Sequence, residues 1–395
     1  MTIADRWLLP DGMDEILPPQ ALRMESLRRG LMDLYYRWGY DLVMPPPVEF
    51  LDSLLTGTGT DLDLQTFKLT DQLTGRLMGA SADVTPQVAR MDAHSLRRSG
   101  PVRLCYCANV LRARADEYQG GRSPVQAGLE LFGHAGIEAD LEIMRLALLS
   151  LGVAGADNIH MALGHIGIYR ALAEAAELDR DAEGLIFEAL ERKAVAEVDA
   201  LIERWIQAPG LAAMFKQLPR LHGGAEVIER ARGVFAGAPE AVTNALDQLL
   251  ALKTFLSGAF EEVTLYFDLA ELRGYQYHTG LVFAAYVPGY GQALVKGGRY
   301  DDTGRAFGRP RPATGCSMDL KQLASLRTHD DTQGEGIWAP AQDDPALATR
   351  IAALRESGER VVVQLPGQAT GASAHFCDRR LIHRDGEWHI EPVTP

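Results

Sequence analysis

Cysteine is scarce in this chain, and positive charge is outweighed. The four cysteines, Cys105, Cys107, Cys316 and Cys377, are too few and too scattered for a disulfide framework. The one close pair, Cys105-Tyr106-Cys107, has a single intervening residue, which is neither the common zinc spacing nor a redox motif. Buried, reduced thiols, no metal and a cytoplasmic location are therefore expected. Lys and Arg number 39 against 53 Asp and Glu, a net charge of −14. Proteins that grip nucleic acid use a basic face to displace the counterions of phosphates, so this balance speaks against tRNA as the main partner. No apolar run reaches the roughly 20 residues that span a bilayer. Asp5, Asp11, Asp14 and Glu15 stand where a basic-then-apolar leader would begin, so no membrane association is expected.

What is present is the mixture of a globular protein: 395 residues, 47% hydrophobic and 23% charged, enough for two or three domains. Leu22, Leu27, Leu31, Leu34 and Tyr35 recur at helical spacing over 20–38, and Gly39 ends that helix. A strand over 40–44 stops at Pro45-Pro46-Pro47. Residues 64–80 read as a hairpin, and Thr85-Pro86 as a helix start. Residues 102–110 and 125–133 alternate as strands around a polar loop. Residues 138–258 turn Ala-, Leu- and Glu-rich with helical spacing, apart from a strand at 159–163. Strands return at 263–268, 282–286 and 292–296, and a helix is expected from about Ser317 to Leu326. The last part shows a helix at 345–355, a strand at 360–365 and an Asp385-Gly386 hairpin. The expected organisation is a core over 1–327 with a helical insertion at about 165–258, a linker over 328–336 and a small C-terminal α/β domain over 337–395. The fold class is α+β, an antiparallel sheet flanked by helices.

Four segments carry chemistry. Gln126, Gly128 and Glu130 alternate on one strand face, where Glu supplies charge, Gln supplies both donor and acceptor, and Gly leaves space between them. Such a face suits an ammonium or an imidazole N–H; the plain alternative is a polar sheet face in solvent. Arg273-Gly274-Tyr275-Gln276-Tyr277-His278 sets three rings beside an Arg that could pair a carboxylate, or could simply stack as a cation on a ring. In Gly297-Gly298-Arg299-Tyr300-Asp301 the paired glycines admit a close backbone approach, by a ligand or by another strand. In Ser81-Ala82-Asp83-Val84-Thr85-Pro86-Gln87 the carboxylate could face an amine or cap a helix.

Taken in order, Gly39-Tyr40…Pro46, Arg112…Gln126-x-Gly-x-Glu130, Arg273-Gly-x-x-Tyr277-x-Thr-Gly and Gly297-Gly-Arg-Tyr-Asp301 resemble the class II aminoacyl-tRNA synthetase core, specifically histidyl-tRNA synthetase, over roughly residues 7–326. The resemblance implies a six-stranded antiparallel sheet and a homodimer interface at Gly39–Pro46. It maps a histidine pocket onto Asp83, Thr85, Arg112, Gln126, Glu130, Arg273 and Tyr277. Two positions depart from the synthetases, which have Glu at Asp83 and Tyr at His278.

The ATP side departs further. The synthetase Phe-Arg-x-Glu stretch reads Leu111-Arg112-Ala113-Arg114 here, and Gln322 aligns with the Arg that clamps the triphosphate. A neutral amide cannot replace that charged fork; by analogy with a lost oxyanion donor, the adenylation transition state would lose on the order of 2.7–4 kcal/mol or more. The C-terminal part is also short and poor in basic clusters for an anticodon domain. Ala82-Asp83-x-Thr85-Pro86-Gln87-x-Ala89-Arg90 and Ala108-Asn-Val-Leu-Arg112-Ala look like the versions found in a synthetase-like paralogous group, the regulatory subunits of ATP phosphoribosyltransferase. That likeness implies a non-catalytic subunit of a hetero-oligomer with a short-form catalytic partner in histidine biosynthesis. L-histidine would be its feedback effector, and neither a cofactor nor aminoacylation is expected. An active histidyl-tRNA synthetase or a stand-alone amino-acid ligase is the alternative, and both require ATP chemistry that Gln322 opposes.

Overall fold

The computed structural model describes residues 7–57, 60–114, 121–272, 274–275, 277–326, 336–368 and 371–393. The expected Arg273, residues 115–120 of the polar loop between the expected strands at 102–110 and 125–133, and nearly all of the linker lie outside these residues. The chain divides into two compact units. One is built from Met1–Glu15 with Met24–Leu326, the other from Ile16–Arg23 with Arg327–Pro395.

The amphipathic N-terminal segment forms α1 (Gln20–Arg37), which buries Leu27, Leu31, Leu34 and Tyr35. The chain turns at Gly39, whose φ of 80° suits a residue without a Cβ. It then enters β1 (Asp41–Leu42), shorter than expected because the three prolines cannot donate to a ladder. A small sheet follows, with β2 (Val48–Phe50), the helices α2 (Leu51–Leu55) and α3 (Thr60–Gln65), and the hairpin β3 (Lys68–Thr70) and β4 (Leu77–Ala80) in the order β2-β4-β3. Next come α4 (Thr85–Arg90), opened by Pro86 as its fixed φ allows, then β5 (Val102–Asn109), β6 (Val125–Phe132), α5 (Ile137–Val153) and β7 (His160–His165).

The Ala- and Leu-rich stretch folds as α6 (Ile166–Ala175), α7 (Arg180–Glu191), α8 (Val195–Trp205), α9 (Pro209–Gln217), the short β8 (His222–Gly223), α10 (Glu226–Val234) and α11 (Glu240–Ala259). The sheet resumes with β9 (Thr264–Asp268), β10 (Leu281–Tyr286) and β11 (Val295–Arg299). After α12 (Thr303–Ala306), β12 (Ala313–Asp319) leads directly into α13 (Leu320–Leu326). The helix expected from Ser317 therefore starts three residues later, since Ser317, Met318 and Asp319 pair with Lys296, Val295 and the β6 strand. Helical spacing in a seven-residue window could not distinguish the end of a buried strand from a helix start.

The large sheet runs β1-β5-β6-β12-β11-β10-β7-β9-β8. From β5 to β7 every neighbour is antiparallel. These are the six strands that the family resemblance implies, extended by parallel β1 at one edge and by β9 and β8 at the other. One face packs on α5. Arg299 from β11 donates to Asp140 on α5 at 2.7 and 3.1 Å, and both side chains are buried. Arg103 from β5 pairs with Glu142 on the same helix at 2.6 and 2.8 Å. The opposite face carries Tyr106, Gly128, Glu130, Gly315, Ser317 and Lys296 in register across four strands. It is sparse in bulky side chains and holds the site.

The second unit has a four-stranded sheet, β14-β13-β15-β16, of β13 (Ile337–Ala339), β14 (Val361–Val363), β15 (Arg379–Arg384) and β16 (Glu387–Pro392), with α14 (Pro345–Glu356). Its core is Ile337, Ala339, Leu347, Ile351, Leu354, Leu381 and Trp388. Asp385 and Gly386 make the hairpin turn, both at positive φ (53° and 84°), as a two-residue type I′ turn demands. No helix among the described residues is long and apolar enough to cross a membrane.

Candidate functional site

A cavity of about 300 Å³ lies over β6, β12 and β11, between Thr85 at the start of α4, Tyr277 and His278, and Gln322 on α13. Asp83, Thr85, Arg112, Gln126, Glu130 and Tyr277 all line it. Six of the seven residues expected from the sequence thus converge, and Arg273 lies outside the described residues. Gln126 and Glu130 are 6% and 1% exposed, which rules out a polar face in solvent.

Glu130 is the centre. Tyr106 donates to its Oε1 at 3.1 Å and Tyr300 to its Oε2. Burial dominates its proton affinity and, with the nearby Asp83 carboxylate, pushes its pKa up to about 8 against the pull of the tyrosine and Thr85 hydroxyls. Two glycines make room for this arrangement. A Cβ at Gly315, paired with Glu130 across β12 and β6, would overlap the Glu130 carboxylate. A Cβ at Gly128 would overlap the Tyr106 ring. The space beside Gln126 and Glu130 is therefore not left for a ligand by Gly128, as the strand alternation suggested; Tyr106 fills it and aims its hydroxyl at Glu130.

Asp83 and Gln126 form a second pair. Gln126 Nε2 donates to Asp83 Oδ1 at 2.9 Å, and Gln126 Oε1 accepts from Val84 N at 2.9 Å. The same Asp83 oxygen accepts from Thr85 N at 2.9 Å, a local turn bond just ahead of α4, whose N-cap is Val84, so Asp83 does not cap the helix and its carboxylate lines the cavity. The segment is braced from behind. Ser81 donates to Gln87 at 2.6 Å, Gln87 to the Pro46 carbonyl and to Glu49 at 2.8 Å each, and Arg90 to Glu49 at 3.0 and 2.6 Å. Asp83 is thus a carboxylate in a fixed place, suited to an ammonium.

Tyr277 stacks on Tyr300, with centroids 4.9 Å apart, and meets His278 edge-on. Burial pushes the His278 pKa down to about 4, so its ring is neutral at neutral pH. Gly274 turns the chain with φ 74°, and a Cβ there would come within 2.7 Å of the His278 ring. The Gly297-Gly298 pair sits on β11 and serves the neighbouring chain. Cβ atoms there would strike the Gly315 and Leu281 carbonyls and the rings of Phe283 and His278.

The other end of the cavity is lined by Arg112, Asp319 and Gln322. Arg112 enters through a bridge with Thr66 and a backbone bond to Arg122. Asp319 Oδ1 accepts from Val125 N and Lys321 N at 3.2 and 3.0 Å, while burial raises its pKa. Arg114 is exposed and does not line the cavity. Among the described residues, this end offers an anion the Arg112 guanidinium opposed by the Asp319 carboxylate, with the Gln322 amide beside them; Lys296 also lines the cavity.

Sequence reasoning missed Tyr106 and Tyr300 as members of the site. The signal was available for Tyr106: a tyrosine on a strand face that meets a glycine-bearing strand. Tyr300 had been quoted only for its neighbouring glycines.

The comparisons with known proteins agree with this geometry. A family profile described as Histidyl-tRNA synthetase matches residues 12–323, and one described as ATP phosphoribosyltransferase subunit HisZ C-terminal domain matches 334–391. The chain is 68% identical to the ATP phosphoribosyltransferase regulatory subunit of Chromohalobacter salexigens, over 100% of both chains. A solved ATP phosphoribosyltransferase regulatory subunit/histidyl-tRNA synthetase from Bacillus halodurans superposes with a TM-score of 0.81 at 29% identity, covering 93% of this chain and 95% of that one. The ATP phosphoribosyl transferase (HisG:HisZ) complex from Thermotoga maritima shares the fold, with a TM-score of 0.57 at 18% identity over 74% of this chain and 96% of that one. The chain therefore belongs to the family of ATP phosphoribosyltransferase regulatory subunits, non-catalytic relatives of histidyl-tRNA synthetase.

Proposed function

We propose that this subunit binds L-histidine in the cavity over β6, β12 and β11, and that it thereby carries feedback to a short-form ATP phosphoribosyltransferase catalytic partner in the cytoplasm. The observation that carries the reading is the buried Glu130 held by Tyr106 and Tyr300, with the fixed Asp83 carboxylate in the same cavity. Two acidic groups in a small, polar-lined enclosure suit a ligand that brings an ammonium and an N–H-donating ring. Arg112 supplies a cation for a carboxylate, and Arg273 is proposed for the same task. Thr85 and Tyr277 complete the walls.

Regulation would follow from linkage. Histidine must favour one state of the hetero-oligomer over another, and its coupling to the partner is reciprocal. The relatives' name supports a catalytic partner, and the Thermotoga maritima neighbour is a complex of that kind. A homodimer through the Gly39–Pro46 region is part of the proposal. Tyr36, Leu42 and Met44 are exposed around that edge at 79%, 46% and 76%, more apolar surface than an isolated edge would carry. No tRNA and no membrane enter the proposed role. The domain reading, a core to residue 327 and a separate C-terminal domain, is proposed with it.

Pyrophosphate exchange with histidine, measured on the isolated chain, tests the non-catalytic half. The expected outcome is no exchange above background; synthetase-like exchange would overturn it. Calorimetry tests the pocket. Above pH 8, where the Glu130 carboxyl is mostly ionised, Glu130→Gln is expected to weaken histidine binding by about tenfold to a hundredfold, the worth of a hydrogen bond to a charged group. Unchanged affinity in a folded variant would place the histidine site elsewhere.

A further inference from the structure

The turn that carries Tyr277 and His278 is held from two sides. Tyr277 N and His278 N both donate to the Gly274 carbonyl, at 2.8 and 2.7 Å, and on the β11 side Thr279 N donates to the Arg299 carbonyl at 2.8 Å while Tyr277 stacks on Tyr300. Gly274 is in the left-handed region, so this corner is conformationally permissive. The other side is held by α6 and α7. Arg170 on α6 donates through Nη2 to the carbonyls of Tyr275 at 2.7 Å and of His278 at 2.9 Å, spanning the turn. Its guanidinium also lies 4.9 Å from the Tyr275 ring centroid. Tyr275 projects away from the cavity into the insertion. Its ring meets Tyr169 edge-on at 5.3 Å and Phe187 at 5.1 Å, and its hydroxyl donates to Glu183 on α7. Tyr169 is itself fully buried and donates to the Glu183 carbonyl at 2.8 Å.

We propose that Arg170 and Glu183 are positioning residues for the cavity: through Tyr275 they clamp the 274–278 turn, so that the insertion sets the pose of Tyr277 and His278. The inference rests on the amino-acid-pocket reading and deepens it. Neither residue lines the cavity, yet both determine where one wall of it stands. By reciprocity, a ligand that grips Tyr277 biases the packing of α6 and α7, which makes the insertion the element that senses occupancy.

The test uses the full chain and two readouts. Hydrogen–deuterium exchange of the peptide covering 272–280 needs no ligand. In Arg170→Met the turn is expected to exchange about tenfold faster, the loss of two backbone anchors, while β10 and β7 stay as protected as in wild type. L-Histidine affinity by calorimetry is expected to fall about tenfold in Arg170→Met, to recover in part in Arg170→Lys, and to fall about threefold in Tyr275→Phe, which removes only the bond to Glu183. Exchange at the wild-type rate overturns the clamp whatever histidine does. Faster exchange with unchanged affinity overturns the positioning role. Glu130→Gln, measured in parallel, separates the two ideas. If it too leaves affinity unchanged, the pocket reading has failed and exchange alone decides the clamp. If Arg170→Met does not fold, Tyr275→Phe and Glu183→Gln carry both readouts and the same two outcomes overturn the proposal.

Discussion

The two ends of the one cavity differ in how far their polar groups are committed. At the Glu130 end, the carboxylate takes hydroxyl donors on both oxygens, Asp83 is fastened by Gln126 and Thr85, and Gly128 and Gly315 make room for the Tyr106 ring and the Glu130 carboxylate. At the Arg112 end, a guanidinium, the buried Asp319 carboxylate and the amide of Gln322 line the wall, and the exposed Arg114 lies off it. The first arrangement is the one proposed to take a small ligand with two N–H-bearing groups. At the second, among the described residues, the Arg112 guanidinium faces a carboxylate, and the neutral Gln322 amide cannot serve as a charged fork for a polyphosphate. The difference teaches that neighbouring positions on the same two strands, β6 and β12, can commit their polar groups to quite different degrees, because the bonds at the two ends are made by different side chains.

The largest expected effect comes from attacking the intact end from behind. Arg299→Met leaves Asp140 as a buried, unpaired carboxylate and loosens the strand that delivers Tyr300. The core unit is expected to lose about 3–5 kcal/mol in urea unfolding. A loss below 1 kcal/mol would mean that the Arg299–Asp140 pair does not fix that strand. Gly315→Ala is next. Its Cβ would displace the Glu130 carboxylate, and histidine affinity should fall by about a hundredfold from lost hydrogen bonds to a charged group. Affinity within a factor of three of wild type would show that Glu130 does not need its present seat.

A smaller effect is set by pH. The Glu130 pKa is raised, to about 8. The folded protein therefore favours the protonated carboxyl, and the group's contribution to stability is lost as pH rises from its ordinary range through about 8. A ligand that donates an N–H to Glu130 needs the ionised form. Histidine affinity measured at pH 7 and pH 8 should accordingly rise by about fivefold, the ratio of the two ionised fractions. In Glu130→Gln that rise should vanish, and a profile identical to wild type would show that Glu130 does not meet the ligand. The smallest effect concerns the other end. Gln322→Arg should change histidine affinity by no more than about twofold, because Gln322 is not among the residues proposed to meet histidine, while tightening Mg-ATP binding by up to about tenfold. A variant that gains pyrophosphate exchange from this single change would show that the second end is far less disabled than its residues indicate.

The chain by itself determined a good deal. The helix over 20–38, the Thr85-Pro86 start, the 64–80 hairpin and the Asp385-Gly386 turn are local signals with local causes; each formed, though the helix ends at Arg37 and the hairpin begins at Lys68, since residues up to Gln65 belong to α3. The ordered motif segments placed the family and most of the cavity wall, because alternation on β6 already put Gln126 and Glu130 on one face. The sequence could not supply cross-strand register. Only register shows that Gly315 lies against Glu130 and Gly128 against Tyr106, which turns two glycines from open space into seats for side chains. The strand at Ala313–Asp319 was missed for the same reason, since a short buried run shows no period that separates strand from helix. The role of Tyr275 was equally out of reach. Its partners, Arg170 and Glu183, stand 105 and 92 residues away in the chain, and no local pattern encodes a contact that only the docking of the insertion creates.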